Sequence, residues 1–150
     1  MSDGPIHDCI DNWHRCVRGG LEGGLDAILH PDCVFLSPIV YTPQRGRDIT
    51  KLYLTAAGAT LAGSSPSSAD DGIEIDGGSG FRYVKQVLQG HHAVLEFETE
   101  VDGKYANGVD IITCDDDGMI TEFKVMMRPL QAINAVHAQM MAMLESLKPT

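Results

Sequence analysis

The chain has 150 residues, with 11 Lys and Arg against 21 Asp and Glu, a net charge of −10 at pH 7. That length fits one domain over 1–150, which on folding buries roughly 70% of the surface its extended chain exposes, enough for one core with an internal pocket. The acidic balance argues against a nucleic-acid surface, whose affinity comes from Lys and Arg, and 43% hydrophobic residues with 21% charged argue against a disordered chain.

Residues 5–18 carry apolar positions at helical spacing, Ile6, Cys9, Ile10, Trp13, Cys16 and Val17, before Gly19-Gly20, and predict an amphipathic opening helix. Leu21 to Leu29 reads as a short second helix ended by His30-Pro31. Cys33 to Leu36 predicts a strand closed by Ser37-Pro38, and Ile49, Leu52, Tyr53, Ala56, Ala57 and Leu61 predict a helix with Asp48 at its N-terminus. The Ser, Pro, Asp and Gly residues of 63–80 predict a mobile loop, with room for one edge strand at Ile73-Glu74-Ile75.

The second half is β-rich. Phe81 to Leu88, His92 to Val101, Lys104 to Thr113 and Met119 to Met127 read as four strands, and Asp102-Gly103 and Asp117-Gly118 as hairpin turns. Leu130, Ile133, Val136 or His137, Met140, Leu144 and Leu147 then mark a terminal helix. Helices on one face of an antiparallel meander make an α+β layer.

The turn at Asp102-Gly103 fixes a register. Pairing Val101 with Lys104 and stepping outward sets Leu95 opposite Asp110. One face then carries Ala93, Leu95, Phe97, Thr99, Ala106, Gly108, Asp110 and Ile112, and the other Glu96, Glu98, Glu100, Asn107, Val109 and Ile111. A carboxyl group among hydrocarbon has its pKa raised by desolvation and is able to act as acid or base. The competing reading is structural, with Asp110 bonded to a backbone amide or paired with Arg128. The apolar strip on the other face, at Val109 and Ile111, predicts a homodimer contact through the sheet.

The histidines have no zinc-ligand spacing, Asp115-Asp116-Asp117-Gly118 lacks the alternation of a calcium loop, and neither a nucleotide fingerprint nor a nucleophile elbow is present. No metal and no cofactor are therefore expected. The four cysteines, Cys9, Cys16, Cys33 and Cys114, contain no C-x-x-C pair and read as reduced, buried thiols. With no run near the roughly 18 apolar residues of a membrane span, and with Met1 to Pro5 unlike a signal sequence, a soluble cytoplasmic protein is expected.

Several phrases resemble the nuclear transport factor 2-like superfamily, the SnoaL-like group in particular: Leu25-Asp26-Ala27-Ile28-Leu29-His30-Pro31-Asp32, Val34-Phe35-Leu36-Ser37-Pro38, Gly46-Arg47, Asn107-Gly108-Val109-Asp110 and Asp117-Gly118-Met119-Ile120. The resemblance spans nearly the whole chain. It implies a curved antiparallel sheet forming a cone-shaped half-barrel, N-terminal helices roofing a pocket, a C-terminal helix, and dimerisation through the sheet. The superfamily hosts isomerases, cyclases, hydrolases and non-enzymatic binders, so it implies the fold more sharply than the activity.

The ketosteroid isomerase branch carries a Tyr on the first helix, an Asp before a Pro and a later strand Asp, which fall on Trp13, Ser37 and Asp110. A serine hydroxyl is a poor carbon-proton base, which disfavours steroid isomerisation. Polyketide cyclases of the group resemble the chain in their pocket Asp, but their strand His would fall near Glu96 or Phe97. The resulting expectation is a pocket for a small apolar or aromatic oxygenated molecule, with Asp110 and His14 as catalytic candidates and Trp13, Ser37, Tyr41, Tyr53, Phe97 and Met127 as ligand-binding candidates. The alternative is a non-catalytic ligand-binding or protein-interaction domain of the same fold.

Overall fold

A computed structural model describes residues 4–61 and 81–147. Helix α1 (Ile6–Val17) turns Ile6, Cys9, Ile10 and Trp13 inward, as its apolar spacing requires. The second helix, α2, is shorter than expected, Leu25–Ile28 only. Gly23 and Gly24 adopt φ of 88° and 58°, a region open to glycine, and so hold the chain out of helix until Leu25. Strand β1 (Leu29–Leu36) begins four residues before the predicted Cys33. After the two-residue β2 (Gln44–Arg45), α3 (Arg47–Leu61) leads toward 62–80, where the predicted loop and edge strand lie outside the described residues.

Four strands follow: β3 (Arg82–Gln89), β4 (His92–Val101), β5 (Lys104–Cys114) and β6 (Ile120–Arg128), and then α4 (Leu130–Leu147). The strand order is β2-β1-β6-β5-β4-β3. The sheet is mixed, because β1 pairs with β6 in parallel, where an antiparallel sheet was expected. Short turns force antiparallel neighbours, but the chain between β1 and β6 runs through β2, α3 and three strands and imposes no such direction.

The β4–β5 ladder runs without interruption from Val101↔Lys104 to His92↔Thr113 and includes Leu95↔Asp110, the register that the Asp102-Gly103 turn sets. Both turn residues have positive φ, 55° and 76°, as a two-residue type I′ connection demands. The Asp117-Gly118 turn is wider. Asp115 Oδ1 accepts the amides of Asp117 and Met119 at 2.9 Å each, which makes a five-residue connection between β5 and β6.

Ala93, Leu95, Phe97, Thr99, Ala106, Asp110 and Ile112 are all buried, beneath α1, α3 and α4. Helix α3 supplies Leu54 and Ala56, and α4 supplies Ala132, Val136 and Met140. Two features bend this inner face. At Gly108 a Cβ would lie 2.5 Å from Met126 O and 2.6 Å from Phe97 Cζ, so only glycine lets the Phe97 ring settle across β5. In β3 the ladder shifts between Tyr83 and Lys85, leaving Val84 as the extra residue of a β-bulge.

Gly108→Ala is expected to destabilise the fold by about 1–3 kcal/mol through overpacking, measured as a fall in the urea midpoint at unchanged slope. A midpoint equal to wild type would show that Phe97 does not need the space.

Candidate active site

Asp110 is 6% exposed and stands on the inner face with Leu95 opposite it on β4 and Val125 opposite it on β6. Tyr83 Oη–H donates to Asp110 Oδ2 at 2.6 Å, and Trp13 Nε1–H donates to Tyr83 Oη at 3.0 Å. Three elements thus converge: α1 through Trp13, β3 through Tyr83 and β5 through Asp110. The Trp13 indole is held from below by Phe123, with ring centroids 4.9 Å apart. The Tyr83 ring is held edge-on by Phe81 at 5.0 Å, Phe97 at 6.4 Å and His14 at 5.6 Å.

Burial pushes the Asp110 carboxyl up from an ordinary 3.8 to about 7, and the Tyr83 hydrogen bond opposes that rise without cancelling it. Tyr83 is itself driven well above the usual phenol range by burial first and by the neighbouring Asp110 charge second. Between the two groups, the proton that moves near neutrality is therefore the one on Asp110. No ion pair reaches this carboxyl among the described residues.

The remaining candidate residues separate. Arg128 lies on the outer face, where its Nε donates to Asn107 Oδ1 at 3.0 Å, so the structural pairing of Arg128 with Asp110 does not occur. His14 Nε2 meets Gln86 Oε1 at 2.8 Å; its ring supports Tyr83 and it has no hydrogen bond to Asp110. Trp13, a ligand-binding candidate, gives its N–H to Tyr83. Ser37 Oγ accepts the amides of Ile39 and Val40 at 2.9 and 3.1 Å and is a turn cap. That turn sends Tyr41 into solvent, 97% exposed, so it lines no pocket. Phe97 is fully buried. Met127 is half-buried opposite Gly108, and Tyr53 is half-buried against Phe35 at 5.4 Å.

Tyr83 is the residue sequence reasoning missed. The Gly90-His91 turn sets Gln89 opposite His92, and a regular ladder from there would place Tyr83 opposite Glu98 on the outer face. The bulge places it opposite Phe97, inside. The available signal is a change of parity: Phe81 and Tyr83 alternate inward at odd positions, Gln86 and Leu88 at even ones. Among the described residues no group of three His, Cys, Asp or Glu could hold a metal ion, and no helix is long and apolar enough to cross a membrane.

Fold and site together define an α+β protein with a curved sheet, a helical roof and a buried carboxyl beneath it. No protein-family profile and no curated protein matches the sequence. Among solved structures, the chain is similar to a steroid delta-isomerase from Pseudomonas aeruginosa, at 28% identity and a TM-score of 0.78 over 95% of this chain and 93% of that one. It is also similar to an uncharacterised bacterial protein with a cystatin-like fold from Silicibacter pomeroyi, at 29% identity and a TM-score of 0.73 over 92% and 86% of the two chains. An NTF-2 like protein of unknown function from Burkholderia xenovorans shares the fold, at 15% identity and a TM-score of 0.55 over 87% and 91%. The chain has the nuclear transport factor 2-like fold.

The raised pKa has a definite sign for stability. Between 3.8 and about 7 the unfolded chain gives up a proton that the folded chain keeps, so this group's contribution falls as pH rises through that window and is level above it. At about 1.4 kcal/mol per pH unit, the fall is at most about 4 kcal/mol. Wild type is therefore expected to lose stability relative to Asp110→Asn from pH 4 to pH 7, in paired denaturant titrations; parallel curves would show that Asp110 titrates as an ordinary surface carboxylate.

Proposed function

We propose that this protein is a cofactor-independent acid–base enzyme, of isomerase, cyclase or hydrolase type, acting on a small apolar molecule that bears oxygen. One observation carries the reading: a carboxyl of raised pKa, enclosed by hydrocarbon, whose hydrogen bond from Tyr83 leaves its second oxygen for a ligand. A group that titrates near neutrality exchanges protons in either direction at little cost, which is the requirement for general acid–base catalysis. The similarity to a steroid delta-isomerase supports a proton-transferring role. The commitment of Ser37 to its turn argues against steroid isomerisation itself, because the position that the resemblance gives to a base carries a hydroxyl already in use.

The second reading, a non-catalytic binding domain, is favoured by one observation: among the described residues no other carboxylate is hydrogen-bonded into the Trp13–Tyr83–Asp110 group. Hydrogen exchange separates the two. A panel of apolar ring compounds bearing hydroxyl or carbonyl groups is incubated with the protein in heavy water and weighed by mass spectrometry. The enzyme reading expects catalysed carbon–hydrogen exchange in at least one compound, lowered about 100-fold in Asp110→Asn and unchanged in Tyr41→Phe. Binding without exchange in every compound favours the second reading.

We further propose a homodimer through the outer sheet face. Val87 and Met126, 54% and 50% exposed, flank Val94, Ile111 and Val109 along the registers Val87↔Val94↔Ile111 and Val109↔Met126, an apolar stripe of the kind that marks an interface. Sedimentation at micromolar concentration is expected to show a dimer that Ile111→Lys converts to monomer. A monomeric wild type would remove the proposal.

A further inference from the structure

The hydrogen bonds around Asp110 have a direction, and that direction bears on which ligand the site accepts. An indole N–H only donates, so the 3.0 Å bond fixes Trp13 as donor and Tyr83 Oη as acceptor. Tyr83 is the weaker acid of the next pair and keeps its hydrogen, which points at Asp110 Oδ2 across 2.6 Å. Of the other candidate residues, Ser37 Oγ serves the amides of Ile39 and Val40, and His14 Nε2 serves Gln86. Tyr53 is removed from the site by two rings, stacking on Phe35, which meets Phe123, which in turn meets Trp13.

Among the described residues, the groups that face the carboxyl bring no positive charge. Helix α1 presents Trp13, with His14 behind Tyr83; β3 presents Tyr83; β4 presents Leu95 and Phe97; β6 presents Val125 and Phe123. Among the described residues the donors form a relay, Trp13 to Tyr83 and Tyr83 to Oδ2, and what the carboxyl has left to offer is Oδ1, an acceptor whenever Asp110 is ionised.

We propose that the site selects its ligand by a hydroxyl group, whose hydrogen is accepted by Asp110 Oδ1, on an apolar ring, and discriminates against the matching ketone. This rests on the pocket reading above and narrows it to alcohols and phenols. The Tyr83 hydroxyl would serve as a ligand's oxyanion grip only if it turned away from Oδ2; as it stands, backed by Trp13, it holds Asp110 ready to accept a proton. An anionic ligand is disfavoured by the same uncompensated charge, and a carbonyl would set its lone pairs against those of Oδ1.

The test uses 2-naphthol and 2-acetonaphthone as probes in isothermal titration calorimetry at pH 8, where both are neutral and Asp110 is ionised. Wild type is expected to bind 2-naphthol about tenfold more tightly, the scale of one hydrogen bond to a charged acceptor, with the preference shrinking at pH 5.5. In Asp110→Asn the Tyr83 hydroxyl claims the amide oxygen, the amide N–H₂ takes the place of Oδ1, and the preference is expected to invert toward the ketone. Binding of both probes with the ketone equal or tighter at pH 8, or a hydroxyl preference that survives in Asp110→Asn, overturns the inference and leaves the pocket reading standing. Binding of neither probe overturns both. If the variant does not fold, the wild-type pH profile decides alone: a preference that is constant from pH 5.5 to 8 overturns it.

Discussion

A carboxyl group placed among hydrocarbon loses the water that makes its charge affordable, and the inner face of this sheet is organised around that one fact. Asp110 cannot leave the face, because the uninterrupted β4–β5 ladder assigns it the same side as Leu95, Phe97 and Ile112. Its compensation comes from neighbours of neutral chemistry, a phenol that donates and an indole that supports the phenol. Neutral donors soften the desolvation without abolishing it, which leaves the group with a protonation equilibrium near the middle of the physiological range. A cation in the same place would have fixed the carboxylate permanently and removed any acid–base use.

Much of this was legible in the chain. The Asp102-Gly103 dipeptide sets the strand register, the register chooses which side chains share a face, and that choice encloses Asp110. What was not legible depended on contacts distant in sequence or on a local irregularity. The parallel pairing of β1 with β6 is set by packing across a connection of many residues, which leaves no turn motif to read. Tyr83 depends on a bulge whose only trace is a switch of parity within β3. Trp13 and Ser37 were correctly placed on the first helix and at the end of β1, but their hydrogen bonds go to Tyr83 and to a turn, partners that residue type alone does not reveal.

The same contrast separates fold from activity in proteins of this fold. Glycine at 108 and the aromatic rings that lean across it shape the curvature, and curvature belongs to the scaffold. The polar side chains on the inner face are few, and here they differ from the pattern the resemblance supplies: an indole in place of a phenol on α1, a serine in place of a carboxylate after β1, and a phenol contributed by β3. A site can thus be rebuilt from different strands while the sheet beneath it stays the same.

Among the described residues strand β3 ends the sheet, paired with β4 alone, and its bulge gives residues 81–84 a choice of alignment. In a regular ladder Val84 would occupy the inner position and Tyr83 the outer one, a trade that keeps an apolar side chain inside. The bond from Tyr83 to Oδ2 is one of the forces that weigh against that slip. Strand alignment and occupancy of the carboxyl are in this way two ends of a single lever: a guest molecule that displaced the phenol from Oδ2 would loosen the edge of the sheet, and a change at that edge would be felt at Asp110 in return.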